Sequence, residues 1–252
     1  MSRAIVPVAP LVPAESRFRF LRLAPDARRA LVGNTGTFDE HCASYFTGDG
    51  LIDRFARALG ARRAVRVKEL LESIEFFGVA RRRVRASSVA DLCASHGLVG
   101  AMYALFERSV ERVLLVDRSV PESRAEVLAA AHEVGPWTVE KLVPHDGLLA
   151  RRGAELAPGT ALVAVHACGF LTDEVIELAV RLGGPVGLLP CCRPHRRSPA
   201  PTVLARELGA ETAFDVDRTY RLENAGFTAR WDAVPASITP MNRVILAWPR
   251  AR

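Results

Sequence analysis

Two short segments of this sequence concentrate side chains that can move a proton, attack a carbon or hold a metal. One is His166-Ala167-Cys168-Gly169 and the other is Pro190-Cys191-Cys192-Arg193-Pro194-His195. A neutral imidazole can take a proton near pH 7, which makes His166 the first candidate for a general base. Cys168, Cys191 and His195 are expected in the same pocket. A thiol there becomes a nucleophile where a nearby cation lowers its pKa, and Arg193 and His195 are the candidate cations. A zinc site built from His166, Cys168, Cys192 and His195 is disfavoured. The chain has no CxxC pair and adjacent cysteines rarely chelate one ion, so no metal is assigned.

Carboxylates and small residues form a second set. Asp91-Leu92-Cys93-Ala94-Ser95-His96-Gly97 follows a short apolar run. Its small residues let the backbone approach a ligand, and the start of a following helix supplies free N–H groups. Asp117 ends the next apolar run, 26 residues after Asp91. A carboxylate there can accept two hydrogen bonds from ribose hydroxyls. Arg118 stands beside it. His145-Asp146-Gly147 follows the third run, although an Asp-Gly turn accounts for Asp146 as readily as a ligand does. His96 can equally fill its turn, and Cys93 can equally be a small packing residue.

These segments meet only if they share one edge of one sheet. From residue 88 the pattern alternates strand and helix. It predicts strands over 89–93, 112–117, 137–143, 161–166 and 186–189, and helices over 98–106, 121–132 and 173–182. Pro121 opens the second of these helices; Thr172 starts the third and Gly183-Gly184 stops it. Helices near 201–208 and 215–224 and strands near 227–233 and 242–248 follow. The expected fold class is α/β: a Rossmann-like, seven-stranded, mostly parallel sheet with helices on both faces, an antiparallel strand pair at the C-terminus and a helical N-terminal extension. In such a sheet ligands bind outside the carboxyl ends of the strands, where all five segments fall. In the extension, Leu51, Ile52, Phe55 and Leu59 share one helical face that Gly60 ends. Val67, Leu70, Leu71, Ile74 and Phe77 share another that Gly78 ends. Residues 1–33, rich in proline and arginine, read as an arm on the surface or on a partner.

Composition excludes several classes. With 49% apolar and 25% charged residues over 252 positions, the chain is neither disordered nor collagen-like. The net charge is +6, and among 34 basic residues only Lys68 and Lys141 are lysines. Arginine clusters at 62, 63 and 66, at 81–83 and 85, and at 193, 196 and 197 permit phosphate contact. Aromatics do not interleave with them as a single-strand binder requires. The longest apolar run, Ala4 to Ala14, is broken by Pro7, Pro10 and Pro13. It falls short of the ~18 residues of a membrane span and lacks a cleavage site, so neither a membrane segment nor a signal peptide is expected. Five cysteines at 42, 93, 168, 191 and 192 form no even framework and point to a reducing cytoplasm.

Residues 88–248 resemble a class I S-adenosylmethionine-dependent methyltransferase. Val89 to Gly97 is similar to that family's acidic, glycine-rich first motif, with Cys93 and Ser95 where glycines are usual and only Gly97 retained. Asp117 matches the acidic residue that holds the adenosine ribose, and Asp146 the position that meets the adenine amino group. His166-Ala167-Cys168-Gly169 and the Cys191-Cys192 pair resemble a subgroup with HxCG after strand four and paired cysteines after strand five. That subgroup includes tRNA 2′-O-methyltransferases and methyltransferase-like proteins, and Ile238-Thr239-Pro240-Met241-Asn242-Arg243 is similar to theirs as well.

The resemblance implies S-adenosyl-L-methionine as cofactor, held by Asp91, Cys93, Ser95, His96, Gly97, Asp117, Arg118, Asp146 and His166. It implies methyl transfer to an acceptor beside His166, Cys168, Cys191 and His195. A small-molecule or protein acceptor is favoured over RNA, because a chain of this length leaves little room for an RNA-binding module. Two other readings stay open: a domain of this fold that has lost catalysis and serves as a scaffold, and a tRNA methyltransferase. A nicotinamide dehydrogenase is opposed by the absence of GxGxxG. The expected division is an N-terminal arm and helical cap over 1–80 and a methyltransferase domain over 81–252. Residues 34–60, including Phe38, His41, Tyr45 and Phe46, are a candidate lid over the acceptor.

Overall fold

The computed structural model describes residues 18–167, 169–190 and 200–251. Cys168, Cys191, Cys192, Arg193, His195, Arg196 and Arg197 lie outside the described residues, and with them the thiol and zinc readings. The described chain starts with α1 (Pro25–Leu31), α2 (Glu40–Ala43), α3 (Leu51–Arg62) and α4 (Val67–Ala80). β1 (Ser88–Leu92) leads through α5 (Leu98–Phe106) to β2 (Arg112–Val116). α6 (Ser123–Val134) and α7 (Thr138–Lys141) precede β3 (Leu142–Pro144), and α8 (Leu149–Ala154) precedes β4 (Ala161–Val165). α9 (Leu171–Leu182) joins β4 to β5 (Val186–Leu189). α10 (Thr202–Leu208), α11 (Ala210–Asn224), β6 (Phe227–Ala233) and β7 (Arg243–Pro249) follow.

The strands form one seven-stranded sheet in the order β3-β2-β1-β4-β5-β7-β6. β7 runs antiparallel to both its neighbours and the remaining pairs are parallel; the mostly parallel sheet and the antiparallel β6–β7 pair are as the sequence pattern predicts. The chain leaves the centre of the sheet in opposite directions from β1 and β4, so the order reverses between them.

Strand alternation splits the interior into two cores. Val89, Val113, Leu115, Val163, Val165, Leu189, Val244 and Leu246 pack on one face, against α3 to α6. Ala90, Leu92, Leu114, Val116, Leu162, Ala164, Leu188 and Ile245 pack on the other, against α8, α9 and α11. Burial on both faces is why these strands read as unbroken apolar runs. Asp91 is the exception: it sits in the middle strand between Leu115 of β2 and Val163 of β4.

The N-terminal extension is packed into this core, which corrects the reading of residues 18–33 as a surface arm. The buried Glu75 of α4 accepts backbone N–H groups from Arg19 (2.6 Å), Phe20 (3.2 Å) and Leu21 (2.7 Å). Phe20 meets Phe77 and Phe106 edge-on at 5.4 and 5.3 Å between ring centroids. Leu21 and Leu31 are buried. Gly60 and Gly78, expected to end α3 and α4, lie inside them. A Cβ on Gly60 would stand 2.5 Å from that of Ala43, and one on Gly78 would stand 2.7 Å from that of Phe20. Each glycine therefore admits a neighbouring segment instead of stopping a helix.

Two further expectations change. Residues 137–143 are not one strand: Thr138 donates its hydroxyl to Gly135 O and Val139 N donates to Pro136 O, winding the chain into α7. Only Leu142–Pro144 then pairs with β2, as an edge strand. Thr172 does not cap α9 but lies in its first turn after Phe170, and its hydroxyl donates to Ala167 O at 2.6 Å. Gly183, at φ 65°, does end that helix.

Replacing Glu75 by Ala strands three backbone donors under α4. Loss of hydrogen bonds to a charged group predicts a destabilisation of about 2–3 kcal/mol, read from urea unfolding. Tryptic cleavage after the exposed Arg22 is expected to accelerate in the same variant.

Candidate functional site

The carboxyl ends of β1, β2 and β4 open into a cavity of about 750 Å³, a size suited to one small ligand. It sits at the reversal of strand order, where an open α/β sheet offers a crevice. Its lining includes Asp91, Cys93, Ser95, His96, Asp117, Arg118 and His166. Leu98, Val99, Val116, Leu148, Leu149 and Leu171 add apolar surface.

The β1–α5 loop forms the floor. Cys93 (φ 58°), Ser95 (φ 47°) and Gly97 (φ 78°) all have left-handed backbone, alternating with residues that do not. The turn must reverse the chain within five residues, and only Gly97 adopts this geometry without a steric cost; Cys93 and Ser95 each carry about 1 kcal/mol. Other groups hold the loop in place. Ser95 N donates to Asp117 Oδ2 at 2.8 Å, and Ala94 N donates to Val116 O at 3.1 Å. The buried Arg124 donates through Nε to Ser95 O at 2.7 Å. Gly97, the N-cap residue of α5, has no side chain, and the buried Asp91 instead accepts the third N–H of the helix, that of Gly100. Gly97 and Gly100 let that helix close on β2, since a Cβ on Gly100 would lie 2.3 Å from Leu115 Cδ2.

Asp91 and Asp117 face this floor differently. Asp91 is 3% exposed and accepts Gly100 N at 2.8 Å. Burial pushes its carboxyl up to about 7, against the pull of that hydrogen bond and of Arg124. Asp117 is half-buried, and each of its oxygens holds one backbone N–H: Oδ2 that of Ser95, Oδ1 that of Ser119 (3.0 Å). Every carboxylate oxygen has a second lone pair, so Asp117 still has acceptor capacity for a ligand diol. Arg118, exposed beside it, has no partner among the described residues.

Asp146 is placed otherwise than the resemblance implies. Its carboxylate pairs with Arg124 Nη1 at 2.5 Å, and it is Gly147 and Leu148, not Asp146, that line the cavity. Asp146 thus braces the arginine that braces the Ser95 loop. His96 Nδ1 lies 2.6 Å from Ser123 Oγ. The lid expected from residues 34–60 does not line the cavity. Phe38 and Phe46 are buried against each other at 5.8 Å, and neither they nor His41 and Tyr45 line the cavity.

The fourth wall comes from a helix that sequence reasoning left out of the site. α4 lines the cavity with Glu69 and Ser73 and places the fully buried Glu72 behind it. Glu72 Oε2 is 2.9 Å from His166 Nε2, and Glu72 Oε1 accepts from Lys68 Nζ at 2.7 Å. Burial alone would raise the Glu72 carboxyl; the hydrogen bonds from His166 and Lys68 outweigh it and hold the group below its ordinary range. The available signal was a run of apolar helical positions, Leu70 to Phe77, interrupted by two carboxylates.

Several arginines of the groups at 62–66 and 81–85 are engaged within the chain. Arg62 pairs with Glu126 and Glu133, and Arg81 and Arg85 with the buried Glu107. Arg83 stacks on Trp248. Among the described residues no three His, Cys, Asp or Glu side chains cluster as metal ligands, and no helix is long and apolar enough to cross a membrane.

No family model and no curated protein matches the sequence. Solved structures share the fold. A Klebsiella pneumoniae protein assigned as an O-methyltransferase aligns over 86% of this chain and 97% of its own, at 14% identity and a TM-score of 0.50. A Methanococcus jannaschii fibrillarin, a pre-rRNA processing protein, aligns over 67% of this chain and 68% of its own, at 18% identity and a TM-score of 0.45. The O-methyltransferase TomG of Streptomyces achromogenes, involved in tomaymycin synthesis, aligns over 85% and 97%, at 16% identity and a TM-score of 0.45. At such identities the likeness is one of fold: this chain shares a Rossmann-like, seven-stranded fold with the Klebsiella pneumoniae protein.

The Asp91 carboxyl gives a pH prediction. Its folded value of about 7 lies above the ordinary 3.8, so the folded state holds an extra proton between them. Its stability contribution is therefore full below pH 4, falls as pH rises toward 7 and is flat above. Asp91→Asn, neutral throughout, removes that slope. Urea unfolding at pH 5 and pH 7.5 should show a drop in the wild type that exceeds the variant's by about 2.5 kcal/mol. Equal drops would mean that Asp91 is ionised throughout.

Proposed function

We propose that the protein is an S-adenosylmethionine-dependent methyltransferase whose methyl donor binds in the cavity at the ends of β1, β2 and β4. The observation that carries this is the floor of that cavity. A backbone-inverted loop and the first turn of α5 stand beside a carboxylate, Asp117, already oriented by two backbone N–H groups.

The donor set fits such a group. Asp117 would take the ribose hydroxyls, Gly147 and Leu148 would flank the base, and the Ser95–Gly97 turn with Asp91 would hold the amino-acid end. Bound there, S-adenosylmethionine supplies a methyl group on a positively charged sulfur. The chain's contribution is to orient and to shield: proximity supplies most of the acceleration in an in-line displacement. The cavity carries the carboxylates Glu69, Asp117 and Glu174, joined by Asp91 above pH 7, against one guanidinium, Arg118. That balance suits a cationic donor and opposes a phosphate-rich acceptor. We therefore favour a small molecule or a protein side chain over RNA.

Isothermal titration with S-adenosylhomocysteine tests the reading. Wild type is expected to bind and NAD to give no signal. Asp117→Ala should weaken binding by ~1.5–3 kcal/mol, the loss typical of a charged hydrogen bond. No binding at millimolar ligand would leave the scaffold reading in its place.

A further inference from the structure

The geometry points to Glu72 as a positioning residue that makes His166 a general base, and hence to an acceptor whose methylated atom is a hydroxyl oxygen. This rests on the methyltransfer reading of the cavity. Three observations converge on it. His166 lines the cavity and keeps its side chain 37% exposed, the imidazole left within reach of a ligand. Its backbone is left-handed, φ 64°, although it is not glycine. Such strain persists only where surrounding contacts over-determine it. Here His166 N donates to Leu189 O, and the next carbonyl, Ala167 O, accepts the Thr172 hydroxyl.

The third observation is the partner. Glu72, 94 residues earlier in the chain and fully buried, meets Nε2 at 2.9 Å. A buried carboxylate is costly unless paired, and Lys68 supplies the second pair. An ionised carboxylate only accepts, so the proton of the neutral ring lies on Nε2 and the lone pair on Nδ1. Nδ1 has no partner among the described residues. The arrangement is the one in which a carboxylate fixes the tautomer and stabilises the imidazolium that forms.

A thiolate or an unprotonated amine presents a lone pair without help, whereas a hydroxyl must lose its proton as it attacks. In the step inferred, Nδ1 takes the hydroxyl proton, the oxygen lone pair forms the new O–CH3 bond, and the electrons of the broken S–CH3 bond stay on sulfur. The imidazolium, held by Glu72, then returns its proton to solvent.

Two measurements test this. In full-length protein labelled with 15N-histidine and saturated with S-adenosylhomocysteine, the His166 ring should show a slowly exchanging N–H on Nε2, assigned by its loss in His166→Gln. That signal should vanish in Glu72→Ala. A His166 ring proton found on Nδ1, or none protected in the wild type, overturns the pairing. Labelled S-adenosylmethionine is then offered with a panel of phenols, alcohols, primary amines and thiols. Label is expected on hydroxyl compounds, with kcat reduced at least tenfold in Glu72→Gln and in His166→Gln and the acceptor KM within about twofold. A panel in which no hydroxyl compound is labelled, or an unchanged kcat in Glu72→Gln, overturns the acceptor class. Absence of S-adenosylhomocysteine binding by titration sinks the methyltransfer reading instead, and the ring signal, then recorded without ligand, still decides the pairing.

Discussion

The chain has to leave β1, reverse and enter α5 within five residues while keeping its backbone open to a ligand. Everything around the cavity follows from that constraint. The reversal requires left-handed backbone at positions 93, 95 and 97, and two of the three residues pay a steric cost for it. Neighbouring strands absorb that cost. Asp117, at the end of β2, takes the Ser95 N–H, and Arg124, at the start of α6, takes the Ser95 carbonyl. Asp146, after β3, completes the arrangement by pairing with Arg124. Three successive crossovers therefore hold one loop, and the carboxylate that would meet a ribose is also the carboxylate that shapes the floor.

Buried carboxylates on α4 tie the N-terminal extension to this sheet. Glu75 gathers three backbone donors from residues 19–21, and Glu72, three residues earlier on the same helix, reaches His166 at the end of β4. One helix thus anchors the start of the described chain and completes a wall of the cavity. An apolar side chain at either position would pack at less cost, but would leave backbone or imidazole donors without partners. Polar burial here defines which segments meet, while the apolar positions of α4 supply adhesion.

The sheet is common to many chemistries and the walls are particular to this chain. A Klebsiella pneumoniae protein shares the fold at 14% identity, and any ligand is chosen by the local side chains. Those side chains are Glu69 and Ser73 from α4, His96 from the floor and His166 from β4.

Periodicity alone placed most of the alternating elements from β1 to β7, because strands buried on both faces must be apolar throughout and leave a plain pattern: α5 over Leu98–Phe106 and β5 over Val186–Leu189 match the expectation residue for residue, while the short α7 and α8 were not expected. The same pattern placed Asp91, Asp117 and His166 at strand ends and so at one edge of the sheet. It misread 137–143, where Trp137 and Val139 suggest a strand but are largely exposed and turn through α7. It also misread Gly60, Gly78 and residues 18–33, since a glycine that ends a helix and one that admits a neighbour look alike until that neighbour is in place. Only the tertiary structure joined Glu72 to His166 and turned Asp146 to Arg124. These are contacts between residues separated by long stretches of chain, chosen by how the helices pack on the sheet, and no local spacing encodes them.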